Sequence, residues 1–188
     1  MQVNSVIFRT QPFPFLIWLV LLASFLCLNC GPPPEPLEKS WEKFRNVDLD
    51  PKDQTLESLN QILQQEGRKT ENPEMNTQAY EWYFGTVRAK FIEEYKSSNQ
   101  KEYKLVELEL HRKSVNFPGS IFGVHLTDPA DQIPEILNKT KCKKIEQSQG
   151  VGNADCNDKW SVIWFYYQGQ LDSFRAYHTG YIKIPIKQ

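Results

Sequence analysis

The run Trp160-Ser161-Val162-Ile163-Trp164-Phe165-Tyr166-Tyr167, apolar or aromatic at all but one position, constrains this chain more than any other stretch. Such a run reads as a strand buried on both faces, in the middle of a sheet with helices above it. Gln168-Gly169-Gln170 then turns the chain, and Leu171 to His178 pairs back as an antiparallel hairpin. Thr179-Gly180 allows another turn, and Tyr181 to Ile186 gives a last strand whose Pro185 suits a sheet edge. The C-terminal third of the chain is therefore expected to be an antiparallel sheet.

Upstream, Val106, Leu108 and Leu110 alternate with Glu107, Glu109 and His111, the mark of a strand with one wet face. Pro118-Gly119 is a turn signal, and Ser120 to Leu126 reads as a second strand. Asp128-Pro129 opens a connection in which Ile133 to Leu137 forms one helical turn. Gln147 to Asp158, mostly Gly, Asn, Ser and Asp, reads as a flexible loop around Cys156. Helices are expected ahead of the sheet. Leu37, Trp41 and Phe44 suggest a first, from about Leu37 to Arg45. Asp50-Pro51 looks like the start of a second, with Leu56, Leu59, Ile62 and Leu63 along one face and Gly67 as its stop. Tyr80, Phe84, Val87, Phe91 and Tyr95 step by four, three, four and four residues, which predicts a third helix whose aromatic stripe packs on the sheet. The predicted fold is α+β: two to three N-terminal helices on an antiparallel sheet of four to five strands, forming one domain over residues 37–188.

The other end of the chain has a different character. Phe13 to Leu26 is almost wholly apolar, preceded by the single charge of Arg9, and it ends in Leu26-Cys27-Leu28-Asn29-Cys30-Gly31-Pro32-Pro33-Pro34. That is the length of a signal-peptide core, whereas a spanning helix needs about 20 apolar residues. An uncleaved transmembrane anchor, acylation at Cys27, and a secreted protein glycosylated at Asn138-Lys139-Thr140 are the rival readings. Leu26 to Cys30 resembles the lipobox of bacterial lipoproteins, in the relaxed form of spirochaete lipoproteins, where Leu lies further upstream and Asn stands beside the cysteine. The resemblance covers only about the first 30 residues. It implies a signal peptide over residues 1–29, lipidation of Cys30, and a domain held in the cell envelope, outside the cytoplasm. The four prolines between Gly31 and Pro36 then form a short semi-rigid tether over residues 30–36.

Arg9 is the one charged residue ahead of Cys30, so the chain from Cys30 onward carries 21 basic and 23 acidic side chains, a net charge of −2. With no basic cluster to neutralise phosphates, nucleic acid is not an expected partner. With Cys30 lipidated, Cys142 and Cys156 are the remaining pair, and in an exported domain a disulfide between them would close a loop of about 15 residues. Neither Cys142 nor Cys156 belongs to a Cys-x-x-Cys and no His stands beside either, so no metal site is expected.

The usual signatures of zinc peptidases, serine hydrolases and nucleotide sites are missing as well, so neither catalytic residues nor cofactors are assigned. A triad of Asp172, His178 and either Ser161 or Ser173 is conceivable across neighbouring strands, and Glu107 with Glu109 is an acid pair on one strand face. The aromatic residues Trp164, Tyr166, Tyr177 and Tyr181 form a candidate ligand or partner face, if they are not core filling. The expected function is a membrane-anchored binding module for a protein or envelope partner. An exported hydrolase with a site built across strands, and a small-ligand carrier using a concave sheet pocket, are the alternatives.

Overall fold

A computed structural model of the chain describes residues 41–181, apart from 53, 71–75, 98–99 and 114–115. The expected signal segment, Cys30 and the tether lie outside the described residues, as does the last predicted strand beyond Tyr181.

The chain runs from a 3-10 turn at Glu42–Phe44 into the helix α1 (Leu56–Leu63), then through β1 (Arg68–Thr70), β2 (Thr77–Trp82), β3 (Val87–Ser97) and β4 (Gln100–His111). A small hairpin follows, β5 (Ser120–Ile121) and β6 (Val124–His125), and then the helix α2 (Ile133–Lys139). The last four strands are β7 (Lys143–Ser148), β8 (Val151–Asp155), β9 (Trp160–Tyr167) and β10 (Gln170–His178). All but β5 and β6 join one eight-stranded antiparallel sheet in the order β1-β2-β3-β4-β10-β9-β8-β7. The sheet is thus two four-stranded meanders, one from each half of the domain, joined where β4 pairs with β10.

This overturns the α+β arrangement of N-terminal helices on four or five strands. The stripe Tyr80 to Tyr95 is not a helix. It is the β2–β3 hairpin, reversed by a turn in which Tyr83, Phe84 and Gly85 all take positive φ, 50°, 58° and 81°. A step of four residues is even, so it keeps side chains on one face of a strand as well as near one face of a helix. Along β3 the sequence Val87-Arg88-Ala89-Lys90-Phe91 buries its odd-numbered apolar members and leaves the cations on the other face. Phe84, counted in the apolar stripe, stands 87% exposed at the turn.

Of the first expected helix, residues 37–40 lie outside the described residues and a 3-10 turn spans Glu42–Phe44; the leucine stripe is helical over eight residues, capped at Thr55 rather than beginning at Asp50. Thr55 and Ser58 exchange side-chain to backbone bonds of 3.1 and 2.9 Å in a capping box, which supplies the start signal locally. The expected loop Gln147 to Asp158 is likewise not a loop, because β7 and β8 pair through it. Ser120 to Leu126, expected as one strand, folds into the β5–β6 hairpin.

The core lies on one face of the sheet. Leu108 and Leu110 of β4 sit opposite Ala176 and Phe174 of β10, and Phe174 sits opposite Trp164 of β9 with ring centres 6.4 Å apart. Leu59 and Leu63 of α1, Ile133 and Leu137 of α2, and the rings of Trp41, Phe44 and Phe117 complete one continuous buried cluster. On the opposite face the strands carry charge. Arg175 of β10 donates to Glu109 of β4 at 2.9 Å and lies 3.7 Å from Glu107, which Lys90 of β3 approaches to 3.8 Å. A disulfide joins Cys142 to Cys156, just outside the Lys143–Asp155 pair that opens the β7–β8 hairpin.

Candidate functional site

Antiparallel pairing puts the start of β4, the end of β10 and the start of β9 at the same end of the sheet. There they meet the segment leading into α1, and the space between them is a cleft of about 700 Å³. Glu102 to Leu105 come from the first half of β4, Trp160 and His178 from the ends of β9 and β10, Pro51, Lys52, Gln54 and Thr55 from the segment ahead of α1, Asn157 to Lys159 from the β8–β9 turn, and Tyr181 from beyond β10.

Each contribution is held locally. Asn157 Oδ1 accepts the backbone N–H groups of Lys159 and Trp160 at 2.9 and 2.8 Å, an Asx turn that fixes the approach to β9. Cys156, tied by the disulfide, donates its backbone N–H to the Trp160 carbonyl at 2.9 Å, so the covalent link and the turn brace the same corner. Thr179 donates its backbone N–H to the Lys159 carbonyl at 2.8 Å, which joins the ends of β9 and β10. Asp50 Oδ1 accepts the backbone N–H of Lys52 at 3.0 Å on the opposite wall.

Three rings stand in series along the cleft. Trp160 meets His178 edge to face at 5.3 Å between centres, and His178 meets Tyr181 at 4.8 Å. The backbone N–H of Gly180 donates to His178 Nδ1 at 3.1 Å, so in the neutral ring the proton is on Nε2. Burial pushes the His178 pKa down, and the nearby ammonium groups of Lys159 and Lys104 push it the same way against the opposing pull of Glu94. The imidazole is accordingly neutral at pH 7. Glu94 accepts from the Tyr181 hydroxyl and pairs with Lys104. The bonds from Lys104 and then Tyr181 hold its carboxyl below the usual carboxylate range, while accepting carboxylate and burial raise the Tyr181 phenol.

Of the four aromatic residues proposed as one face, the structure brings only Tyr181 to this cleft. Trp164 is fully buried in the core, stacked on Phe174. Tyr166 packs at the margin of that core and donates its hydroxyl to the Ser148 carbonyl. Tyr177 pairs with Ser161 on the other face of the sheet, where burial raises its pKa. The conceivable triad is divided in the same way. His178 pairs with Trp160, whereas Ser161 and Ser173 occupy odd positions of opposite orientation, and Ser161 donates to Asp155 at 2.7 Å. Glu107 and Glu109 sit with Ser161 on that far face, in the ion pairs of Arg175. Sequence reasoning missed Trp160, Leu105 and the lysines as one site because they are spread over separate segments. The one usable signal was the Gln168-Gly169 turn, and it falls one residue short: counting back from it sets His178 against Lys159, and the register shift between Leu171 and Ser173 moves it to Trp160.

Among the described residues no three of His, Cys, Asp and Glu are grouped to hold a metal ion, and no helix is long and apolar enough to cross a membrane. The chain matches no protein-family model, no curated protein and no solved structure.

Proposed function

We propose that this domain is a binding module held at a cell-envelope membrane by a lipid on Cys30, and that the cleft between the ends of β4, β9 and β10 takes its ligand. The observation that carries the reading is the cleft itself. Clefts of roughly 300–1,000 Å³ lined by aromatic rings and a few polar groups are the usual form of ligand sites, and this one joins Trp160, His178 and Tyr181 to lysines from three segments. The disulfide fits an exported domain, since such bonds persist in oxidising compartments. The hydrolase alternative loses its support because His178 and the candidate serines stand on opposite faces of the sheet.

Two measurements test the two halves of this reading. Growth with a radiolabelled fatty acid is expected to label the chain and to leave Cys30→Ser unlabelled; a label that survives the substitution removes the anchor from Cys30. A fragment screen followed by NMR on the full chain is expected to give hits that shift the resonances of Trp160, His178 and Tyr181. Hits that all map elsewhere remove the cleft as the binding site.

A further inference from the structure

Resting on the proposed lipid anchor at Cys30, we infer that the β2–β3 turn is a second contact with that same bilayer. Phe84 docks its ring at the level of the lipid headgroups, Tyr167 stands beside it, and the ligand cleft faces away from the membrane.

The turn holds Phe84 outward against its backbone preference. Tyr83 and Phe84 both take the left-handed conformation, with φ of 50° and 58°, which bulky residues rarely adopt. Burial accounts for Tyr83. Its hydroxyl donates to the Leu63 carbonyl, and its ring packs against those of Trp41, Phe44 and Phe117 at 5.1, 5.7 and 6.2 Å between centres. Phe84 gains no such burial, since its ring stands in solvent. Gly or Asn would take the same φ with less strain and without exposing a ring. A strained residue that presents an apolar ring to the outside points to a contact made there.

Position identifies the contact. Trp41, the first described residue, packs on Tyr83, one position from Phe84. Cys30 is eleven positions ahead of Trp41. Eleven extended residues reach at most about 40 Å, so the anchored chain enters the domain beside this turn and close to the bilayer. The β9–β10 turn lies at the same end of the sheet, because β3 begins, β4 ends and β10 begins there. Tyr167, which leads into that turn, is 74% exposed, second only to Phe84 among the large apolar side chains of the described residues. Three strand spacings, about 14 Å, separate β3 from β9, a distance over which one membrane surface meets both rings. A lipid surface suits this pair: the Phe ring enters the apolar layer and the Tyr hydroxyl stays at the headgroups. The cleft is built at the opposite strand ends, so the same orientation leaves it open to water.

The test uses the full chain, lipidated at Cys30, on phosphatidylcholine nanodiscs doped with a lipid that carries a nitroxide on its headgroup. NMR reads the broadening of backbone amides. Phe84, Gly85, Tyr167 and Gln168 are expected to broaden, and Asn157 and Lys159 at the cleft end to keep their undoped linewidths. Phe84→Ser is expected to weaken docking about tenfold, the loss of one apolar ring, seen as reduced broadening at Gly85 and Gln168. Phe84→Trp is expected to retain it. Broadening that is equal at the two ends, strongest at Asn157 and Lys159, or absent while the chain stays on the discs overturns the inference and leaves the anchor in place. Undiminished broadening in Phe84→Ser overturns it as well, because the tether alone would then hold the turn near the bilayer. A chain that does not stay on the discs overturns the anchor and, with it, the inference that rests on it.

Discussion

Gly152 pairs with Trp164 across β8 and β9, and a Cβ added to it would lie 2.1 Å from the indole ring. The indole cannot swing aside. Trp164 has no exposed surface, and its other flank is stacked on Phe174. Gly152→Ala is therefore expected to overpack the core and cost about 1–3 kcal/mol. Urea denaturation measures it; a variant whose midpoint stays at the wild-type value would mean that β8 moves away from Trp164 without penalty. The same residue shows why part of this chain was hard to read. In sequence Gly152 counts toward a flexible Gly-rich loop, yet in the fold it is the small member of a cross-strand pair whose large member lies twelve positions later. Composition records the missing side chain and not the ring that fills its place. Trp164 and Tyr177 pose the converse difficulty: both lie in recognisably apolar stretches, but which face of the sheet each occupies depends on strand parity and on the register shift between Leu171 and Ser173.

At the scale of elements, legibility depended on whether a segment carries its own period and stops. Trp160 to Tyr167, the Gln168-Gly169 turn and the Val106-Leu108-Leu110 alternation each contain enough local pattern to be recognised as strand or turn, and they form β9, the β9–β10 turn and β4. β2 and β3 defeated the pattern because four-residue steps satisfy both periods and the single odd step, Phe84 to Val87, falls in the turn. Gly85 was the available warning, since a glycine inside a helical stripe weakens it and a positive φ there makes a reversal. The β7–β8 hairpin was hidden because its outer strand is almost wholly exposed and polar, so it has no apolar alternation to display. What replaces that pattern is the disulfide. Cys142 and Cys156 are 14 positions apart, and closing a loop of that size is worth about 3 kcal/mol in the unfolded-chain model. Cys142→Ser with Cys156→Ser is expected to lower stability by up to that amount, with the first amides to gain exchange lying in β7 and around Asn157 and Lys159. Hydrogen exchange measured by NMR checks both, and unchanged exchange at Asn157 and Lys159 would show that the Asx turn alone holds that side of the cleft.

The largest unit of behaviour is set by the seam between β4 and β10. Each meander taken alone would be a four-stranded sheet with one apolar face, and two such sheets joined by five residue pairs could in principle unfold separately. The core argues otherwise. Phe91 and Val87 from the first meander, Trp164 and Phe174 from the second, Ile133 and Phe117 from the segment between, and Leu59 from α1 ahead of both belong to one buried cluster, so opening either half exposes apolar surface that the other half was covering. The long connection from β4 to β7 strengthens the coupling, because β5, β6 and α2 add Ile121, Val124, Ile133 and Leu137 to that same cluster. Destabilisation introduced in one meander must then be felt in the other. Gly152→Ala acts in β8, and its cost is expected to appear undiminished in the slowest-exchanging amides of β3, which lies four strands away in the sheet order. Native-state hydrogen exchange at increasing urea reads this directly. Equal losses of protection in β3 and β9 would mark a single cooperative unit, and a loss confined to β7, β8, β9 and β10 would mark the seam as a boundary between two. The cleft lies across that seam, with Leu105 and Lys104 on β4 and His178 on β10. In the single-unit case a ligand bound there stabilises the whole sheet by mass action, whereas in the two-unit case it would clamp the halves together.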